Sequence, residues 1–398
     1  MLRNVLQRIK IKQIIKGDIV VIDSVIPGKN PIGPRNSDLL AFVKALPTFK
    51  YYTMYPMLPG NKAWFSHGYG MTREQFNENM PIYASIHPEV AGKVELLSCD
   101  KTYCFKLAYT YFLAETYTLL PFLEQQQIPF VFLLNPGGAF GLNNAASDAM
   151  LRDICTSKYF RKVIVNQQLF KDYLIEKKLC EKSSIVYDFS GSVQFRPEDV
   201  TPKLHYKREK QTFDVCFVAA KYSEKGVDKG YDLFISAAKK LAKVNPDMRF
   251  HVVGGFDEHE IEVSSIRQSV TFYGYLPAAD LPKFYSGMDI YVSPNRPYKL
   301  YAGNTDGFPL AAGAMYCGVA GFNADDLHMN TEFTDEEIVI IKTQAKDIAE
   351  KVQHYYQHPD QLYKLSKKGQ KKAQMFYDIE SHISKRIKLF QEIAKAES

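Results

Sequence analysis

The sequence predicts an α/β protein built as two Rossmann-like domains. Three observations predict it. The chain has 398 residues, 46% hydrophobic and 24% charged, which suits a globular protein with two domains of roughly 150–200 residues each. Its short apolar runs, such as Ile19-Val20-Val21-Ile22 and Phe130-Val131-Phe132-Leu133-Leu134, are continuous. Strands of that kind are buried on both faces, as in parallel sheets. Strand-like runs and helical periodicity alternate in both halves, and the pattern breaks once, between Gly191 and about Gln211. The boundaries read from this are an N-terminal domain over 1–195, a linker over 196–211, a C-terminal domain over 212–375 and a last helix over 376–398.

In the N-terminal half, a strand over 19–22 leads to a loop, Pro27-Gly28-Lys29-Asn30-Pro31-Ile32-Gly33-Pro34. A helix from Ser37-Asp38 to about Leu46 and a strand near Tyr51–Met54 follow. The loop does not match GxGxxG, so no dinucleotide is implied. Residues 56–100 are poorly legible, although the aromatic, Gly-containing Trp64–Gly70 segment is a candidate acceptor wall or a packing element. Helical periodicity is read from Cys104 to Glu124. The strand over 129–134 ends in Asn135-Pro136-Gly137-Gly138-Ala139-Phe140-Gly141, before a helix that begins near Ser147-Asp148. Consecutive glycines at the carboxyl end of a parallel strand let a ligand approach the backbone, or simply make a tight turn. Strands at 161–165 and 184–187 flank a helix over 168–178.

Pro197, Pro202 and the cations Lys203, Lys207, Arg208 and Lys210 mark the linker, whose charges are expected to be solvated. The second half opens with a buried strand, Phe213–Ala220, a polar loop over 221–230 and a helix over 231–244. Strands at 248–253 and 270–276 and a short helix over 280–285 lead to a βαβ unit. There a strand over 290–293 precedes a polar loop, Asp306-Gly307-Phe308-Pro309-Leu310, and a small-residue helix over 311–316. Cys317-Gly318 stops that helix before another apolar run. Pro309 suits its first turn, where free amides and the helix dipole favour an anion. A strand at 338–341 and helices at 343–354, 359–376 and 379–394 complete the chain.

Composition narrows the function. A net charge of +6 suits anionic small ligands or a negatively charged membrane face and is too weak to argue for nucleic acid. The cysteines (Cys99, Cys104, Cys155, Cys180, Cys216, Cys317) show no CxxC pair, which suits reduced structural thiols in a cytoplasmic protein. The histidines show no metal-ligand spacing, so no metal site is expected. No stretch approaches a transmembrane length. Residues 1–16 place Leu2, Val5, Leu6 and Ile9 on one helical face among Arg3, Arg8, Lys10 and Lys12. Two readings stay open there: an edge helix packed on the domain, or a basic amphipathic segment on anionic lipid at the inner membrane face.

DGFPL…GAMYCGVAGF, together with Lys221 and the Lys229-Gly230 pair, resembles the signature of the group 1 family of retaining, nucleotide-sugar-dependent glycosyltransferases of GT-B architecture. The resemblance covers about 215–322, and the PGG-x-F-x-LN loop at 136–143 resembles a subset of these enzymes. It implies two domains facing across a cleft, with the last helix crossing back to the first domain. It implies transfer of a sugar from a nucleoside-diphosphate sugar, the co-substrate, to a hydroxyl of a glycan or glycolipid, without a further cofactor or a metal, in surface polysaccharide or glycoconjugate synthesis. Lys221 and Lys229 would hold the diphosphate beside the amides of Gly307, Phe308, Pro309 and Leu310. Asp306 would meet the sugar hydroxyls, and Asp306 and Lys229 would form the catalytic pair. Asn295, Arg296 and Asn304 are candidate sugar or phosphate contacts, and Asn135, Gly137 and Gly138 candidate acceptor contacts. As a helix N-cap Asp306 has a simpler use.

The motif departs from the family's at one end. Gly313 stands near the position of a second glutamate, which would bond the donor ribose, and the spacing is about one residue short. Ribose contacts then fall to Asp257 or Glu258, or are absent. That gap favours the alternative of a catalytically inactive GT-B protein serving as a binding or chaperone-like subunit of a partner transferase. An epimerase or phosphorylase on the same fold is a third class. Asp306→Ala is expected to abolish sugar transfer and leave the fold intact, checked by turnover and circular dichroism; unchanged turnover would move the site elsewhere.

Overall fold

A computed structural model describes residues 13–27, 35–54, 70–98, 100–191, 193, 195, 197–297 and 312–397. The first lobe runs β1 (Ile14–Asp23), α1 (Arg35–Ala45), β2 (Lys50–Thr53), α2 (Arg73–Ile86), β3 (Val94–Leu96), β4 (Thr102–Tyr111), α3 (Leu113–Gln125), β5 (Phe130–Leu134), α4 (Ala145–Thr156), β6 (Phe160–Val165), α5 (Gln168–Glu176) and β7 (Ile185–Tyr187). The second runs β8 (Phe213–Val218), α6 (Tyr231–Ala242), β9 (Met248–Val253), β10 (Val270–Phe272), α7 (Leu281–Ser286), β11 (Ile290–Ser293), α8 (Ala312–Tyr316), β12 (Ala320–Ala324), β13 (Val339–Ile341), α9 (Ala345–Gln357) and α10 (Pro359–Phe376). A last helix, α11 (Ile379–Ala396), follows.

Among the described residues the strands form a seven-stranded sheet, β3-β2-β1-β4-β5-β6-β7, and a six-stranded sheet, β10-β9-β8-β11-β12-β13. Their recorded pairings are parallel. Both orders reverse beside the first strand of the lobe, between β1 and β4 and between β8 and β11. In open parallel sheets ligands bind outside the carboxyl ends of the strands at that reversal. The continuous apolar runs became the central strands: every residue of β5 is buried.

Two expectations fail here. Residues Cys104–Tyr111 belong to strand β4, and the helix starts only at Leu113. Tyr103, Phe105 and Leu107 point inward while Cys104 and Lys106 are exposed, a period of two in aromatic and branched residues that outweighs the weaker helical spacing. The helix read over 1–16 also gives way to a strand at Ile14–Lys16, which pairs with β4 from Ile14↔Thr102 onward; residues 1–12 lie outside the described residues.

Two of the four linker charges, Lys203 and Lys210, are not solvated, whereas Lys207 and Arg208 are exposed. The Lys210 ammonium lies 2.5 Å from Asp214 and 2.6 Å from Asp289. Lys203, 3.6 Å from Asp289, is held down to about 8 by burial, against the pull of Asp289. Asp214 opens β8 and Asp289 precedes β11, so these lysines fasten the linker to the amino edge of the second sheet.

Helix α11 packs on α1, β1 and β4 of the first lobe. Phe390 is buried between Phe42 and Tyr109, with ring centres 6.1 and 4.8 Å away. Arg386 donates to the Tyr109 hydroxyl at 2.8 Å and to Asp38 at 3.4 Å. His382, 2.8 Å from the Ser190 hydroxyl, is held well below its ordinary range by burial and by Arg386. Among the described residues no helix is long and apolar enough to cross a membrane. Arg386→Met removes the guanidinium from a buried carboxylate, and the expected loss is about 3 kcal/mol, read from urea unfolding.

Candidate active site

The carboxyl edge of the first sheet is built around a glycine that cannot be replaced without moving its neighbours. Gly138 has φ +54°, and a Cβ there would stand 2.5 Å from Phe112. Its carbonyl accepts from the Ala114 amide at 2.9 Å, which ties the predicted acceptor loop to the start of α3. Gly137 lies in the same loop, and the Asn135 side-chain oxygen is buried without a hydrogen-bond partner. Asn144 caps α4 by accepting from the amides of Ala146 and Ser147.

Behind this loop stands a charged group that sequence reading missed. Arg35 opens α1 and lies 3.0 Å from both Asp23, at the end of β1, and Glu115, in the first turn of α3. All three are buried, and burial pushes the Glu115 carboxyl well above its ordinary range while Arg35 opposes the shift. The guanidinium also stacks over Phe112, 4.6 Å from its ring centre. The signal existed: an aspartate ending an apolar strand and an arginine opening a helix. It was lost because Glu115 was placed inside a long helix instead of at a helix start.

In the second lobe the first βα loop, after β8, carries both predicted diphosphate cations. Lys229 is 4% exposed, with its ammonium 5.2 Å from the centre of the Tyr222 ring. Burial lowers it to about 8, against the pull of Asp228. Gly230, at φ +74°, closes the loop, and a Cβ there would stand 2.2 Å from the Pro294 carbonyl oxygen. Lys221 is less deeply placed: its ammonium pairs with Glu260, from the turn after β9, and its amide donates to the Tyr275 hydroxyl at 3.3 Å.

Arg296 is structural. It donates from its amide to Asp228 and from Nε to Val227, each at 2.9 Å, and ion-pairs with Asp232. It thereby clamps the strand-end loop after β11 onto the lysine loop. Asn295 is 4% exposed with Nδ2 unpartnered, and both polar atoms of Asn323, at the end of β12, are also unpartnered. Of the ribose candidates, Asp257 accepts from the amides of His259 and Glu260 through one carboxylate oxygen, and Glu258 lies 2.6 Å from the exposed Arg267.

A Cβ at Gly313 would lie 3.4 Å from Phe195 and 3.8 Å from Tyr285. That position therefore faces an aromatic wall, where a carboxylate would be desolvated. Asn304, Asp306, Gly307, Phe308, Pro309 and Leu310 lie outside the described residues, as do Trp64–Tyr69 and the loop over 28–34. Among the described residues no group of three His, Cys, Asp or Glu is arranged to hold a metal ion.

Residues 206–372, a little over two fifths of the chain, match the family described as "Glycosyl transferases group 1". The second lobe is thus a group 1 glycosyltransferase domain, and the chain is an enzyme of the glycosyltransferase class. Solved structures extend the fold to nearly the whole chain and identify it as GT-B. A sucrose-phosphate synthase from Thermosynechococcus elongatus has a TM-score of 0.64 at 16% identity, covering 96% of this chain and 100% of its own. The Anabaena protein Alr3699/HepE, crystallised with UDP and glucose, has a TM-score of 0.62 at 14% identity, covering 94% and 100%. A glycosyltransferase from Rickettsia africae has a TM-score of 0.63 at 12% identity, covering 96% and 99%. No curated protein sequence matches the chain.

The Lys229 shift has a sign. Its folded value lies below the ordinary 10.5, so the unfolded chain binds the extra proton between about 8 and that value, and stability rises with pH there. Anion binding needs the charged form. Affinity for a nucleoside diphosphate is therefore expected to be full below about pH 8 and to fall above it, approaching tenfold per pH unit, in calorimetric titrations between pH 7 and 10.

Proposed function

We propose that the enzyme transfers a sugar from a nucleoside-diphosphate sugar to a hydroxyl of a glycan or glycolipid acceptor. The observation that carries this is the placement of Lys221 and Lys229 on one loop at the carboxyl edge of the second sheet, beside the β8–β11 reversal and inside the matched domain. Two cations there offset the charge that develops as the anomeric carbon–oxygen bond breaks and the diphosphate leaves with the electron pair. In this proposal no metal takes part, Asp306 meets the sugar hydroxyls, and configuration at the anomeric carbon is retained. The acceptor enters along Asn135, Gly137 and Gly138, and its hydroxyl oxygen forms the new bond as its proton passes to the departing diphosphate.

A glycan or glycolipid acceptor in surface polysaccharide or glycoconjugate synthesis is the proposed destination. The basic residues of segment 1–12 support contact with anionic lipid at the inner membrane face. The UDP complex of the Anabaena protein puts uridine nucleotides first in a donor screen. Calorimetric titration with UDP, GDP and dTDP is expected to give binding to at least one, and a nucleotide-sugar screen with product identification then names donor and acceptor. Failure to bind any of the three would overturn the proposal.

A further inference from the structure

The cation nearest the mouth of the proposed donor site is already occupied by an anion of the protein itself. Lys221, whose side chain is 29% exposed, is ion-paired with Glu260, whose side chain is 18% exposed. The pair is held from both sides. Tyr275 accepts from the Lys221 amide at 3.3 Å. The turn carrying Glu260 is capped by Asp257, which accepts from the His259 and Glu260 amides at 2.8 and 3.3 Å. The Asp257 carbonyl in turn accepts from the hydroxyl of Tyr231, the first residue of α6, at 2.9 Å.

The neighbouring acids of the turn are committed elsewhere: Glu258 to Arg267 at 2.6 Å and Glu262 to Lys239 at 2.9 Å. The second carboxylate oxygen of Glu260 is buried with no hydrogen-bond partner. A carboxylate held by one oxygen, with its other oxygen desolvated and unpaired, is bound at a cost. It is therefore a poor permanent partner for Lys221 and a good temporary one.

Resting on the donor site proposed above, we propose that Glu260 is an internal stand-in for the donor's phosphates. Its carboxylate neutralises Lys221 in the empty site and withdraws to solvent when a nucleoside diphosphate arrives. It returns when sugar transfer is complete. The same competition that weakens donor binding speeds release of the nucleoside diphosphate product, and product release is the step that limits many enzymes.

The test is calorimetric titration of UDP and GDP into the full-length protein and into Glu260→Gln, Glu260→Ala, Glu262→Gln and Lys221→Met. Gln keeps the shape of the side chain and removes its charge. Glu260→Gln and Glu260→Ala are each expected to bind the nucleotide about tenfold tighter, mainly through slower dissociation. Glu262→Gln makes the same change in net charge beside Lys239 and is expected to leave affinity unchanged. In the Lys221→Met background the gain from Glu260→Gln is expected to vanish, as a double-mutant cycle requires for a direct pair. Equal or weaker binding by both Glu260 variants would overturn the proposal, as would an equal gain from Glu262→Gln. If neither the parent protein nor any variant binds nucleotide, the donor site itself fails. If the parent binds and the Glu260 variants bind no tighter, the donor site stands and the stand-in role alone falls.

Discussion

The Gly191 amide donates to the Phe376 carbonyl at 3.3 Å, which ties together the two passages of the chain between the lobes. The chain passes from the first lobe to the second just after Gly191 and returns just after Phe376. The two passages run side by side, so the lobes share a double strap. Tyr377 lies 3.1 Å from where a Cβ on Gly191 would be, so a side chain at that crossing would press on its ring. Phe189 packs against Phe333 and Phe376, with ring centres 6.4 and 5.0 Å away. Ser37 donates to the Val193 carbonyl at 3.0 Å. The apolar core accordingly runs on through the strap, from the first lobe's strands to Tyr285, Met315 and Tyr316 of the second.

Much of the fold was legible because parallel α/β domains write themselves in continuous apolar runs. The runs at 129–134, 213–220, 248–253 and 290–293 all gave strands, the second ending at Val218. The failures have a physical source. Strand β4 mixes aromatic residues with Lys106 and Cys104, and the burial alternation that defines it requires knowing which face meets the core. Lys203 and Lys210 look like solvated linker charges because their partners, Asp214 and Asp289, lie at the starts of two different strands.

The chemistry was legible in part. Lys221 and Lys229 share one loop, as their sequence spacing implies, but their environments are opposite in kind. Lys229 is buried and weakened as a base, whereas Lys221 is paired to an acid 39 residues away. No local pattern announces such a partner. The same holds for Arg296, which reads as a phosphate ligand and is spent on Val227, Asp228 and Asp232, and for the Asp23–Arg35–Glu115 group, assembled from three separate elements. Gly313, expected to mark a missing ligand, lies beside Phe195 from the strap, with a Cβ position 3.4 Å from that ring, an ordinary packing distance.

The return of α11 to the first lobe also bears on how the protein is made. Asp38 and Arg386 are separated by 348 positions, and Phe42 and Tyr109 wait for Phe390. While the ribosome is still producing the second lobe, the face of α1 that α11 will cover is bare apolar surface. The first lobe therefore cannot reach its final stability during synthesis, and its closing contacts form only after the last helix emerges. Contacts of such long range are slow to form and leave a partly built chain prone to association. The chain in this sense closes on itself: a helix that follows the second lobe completes the first.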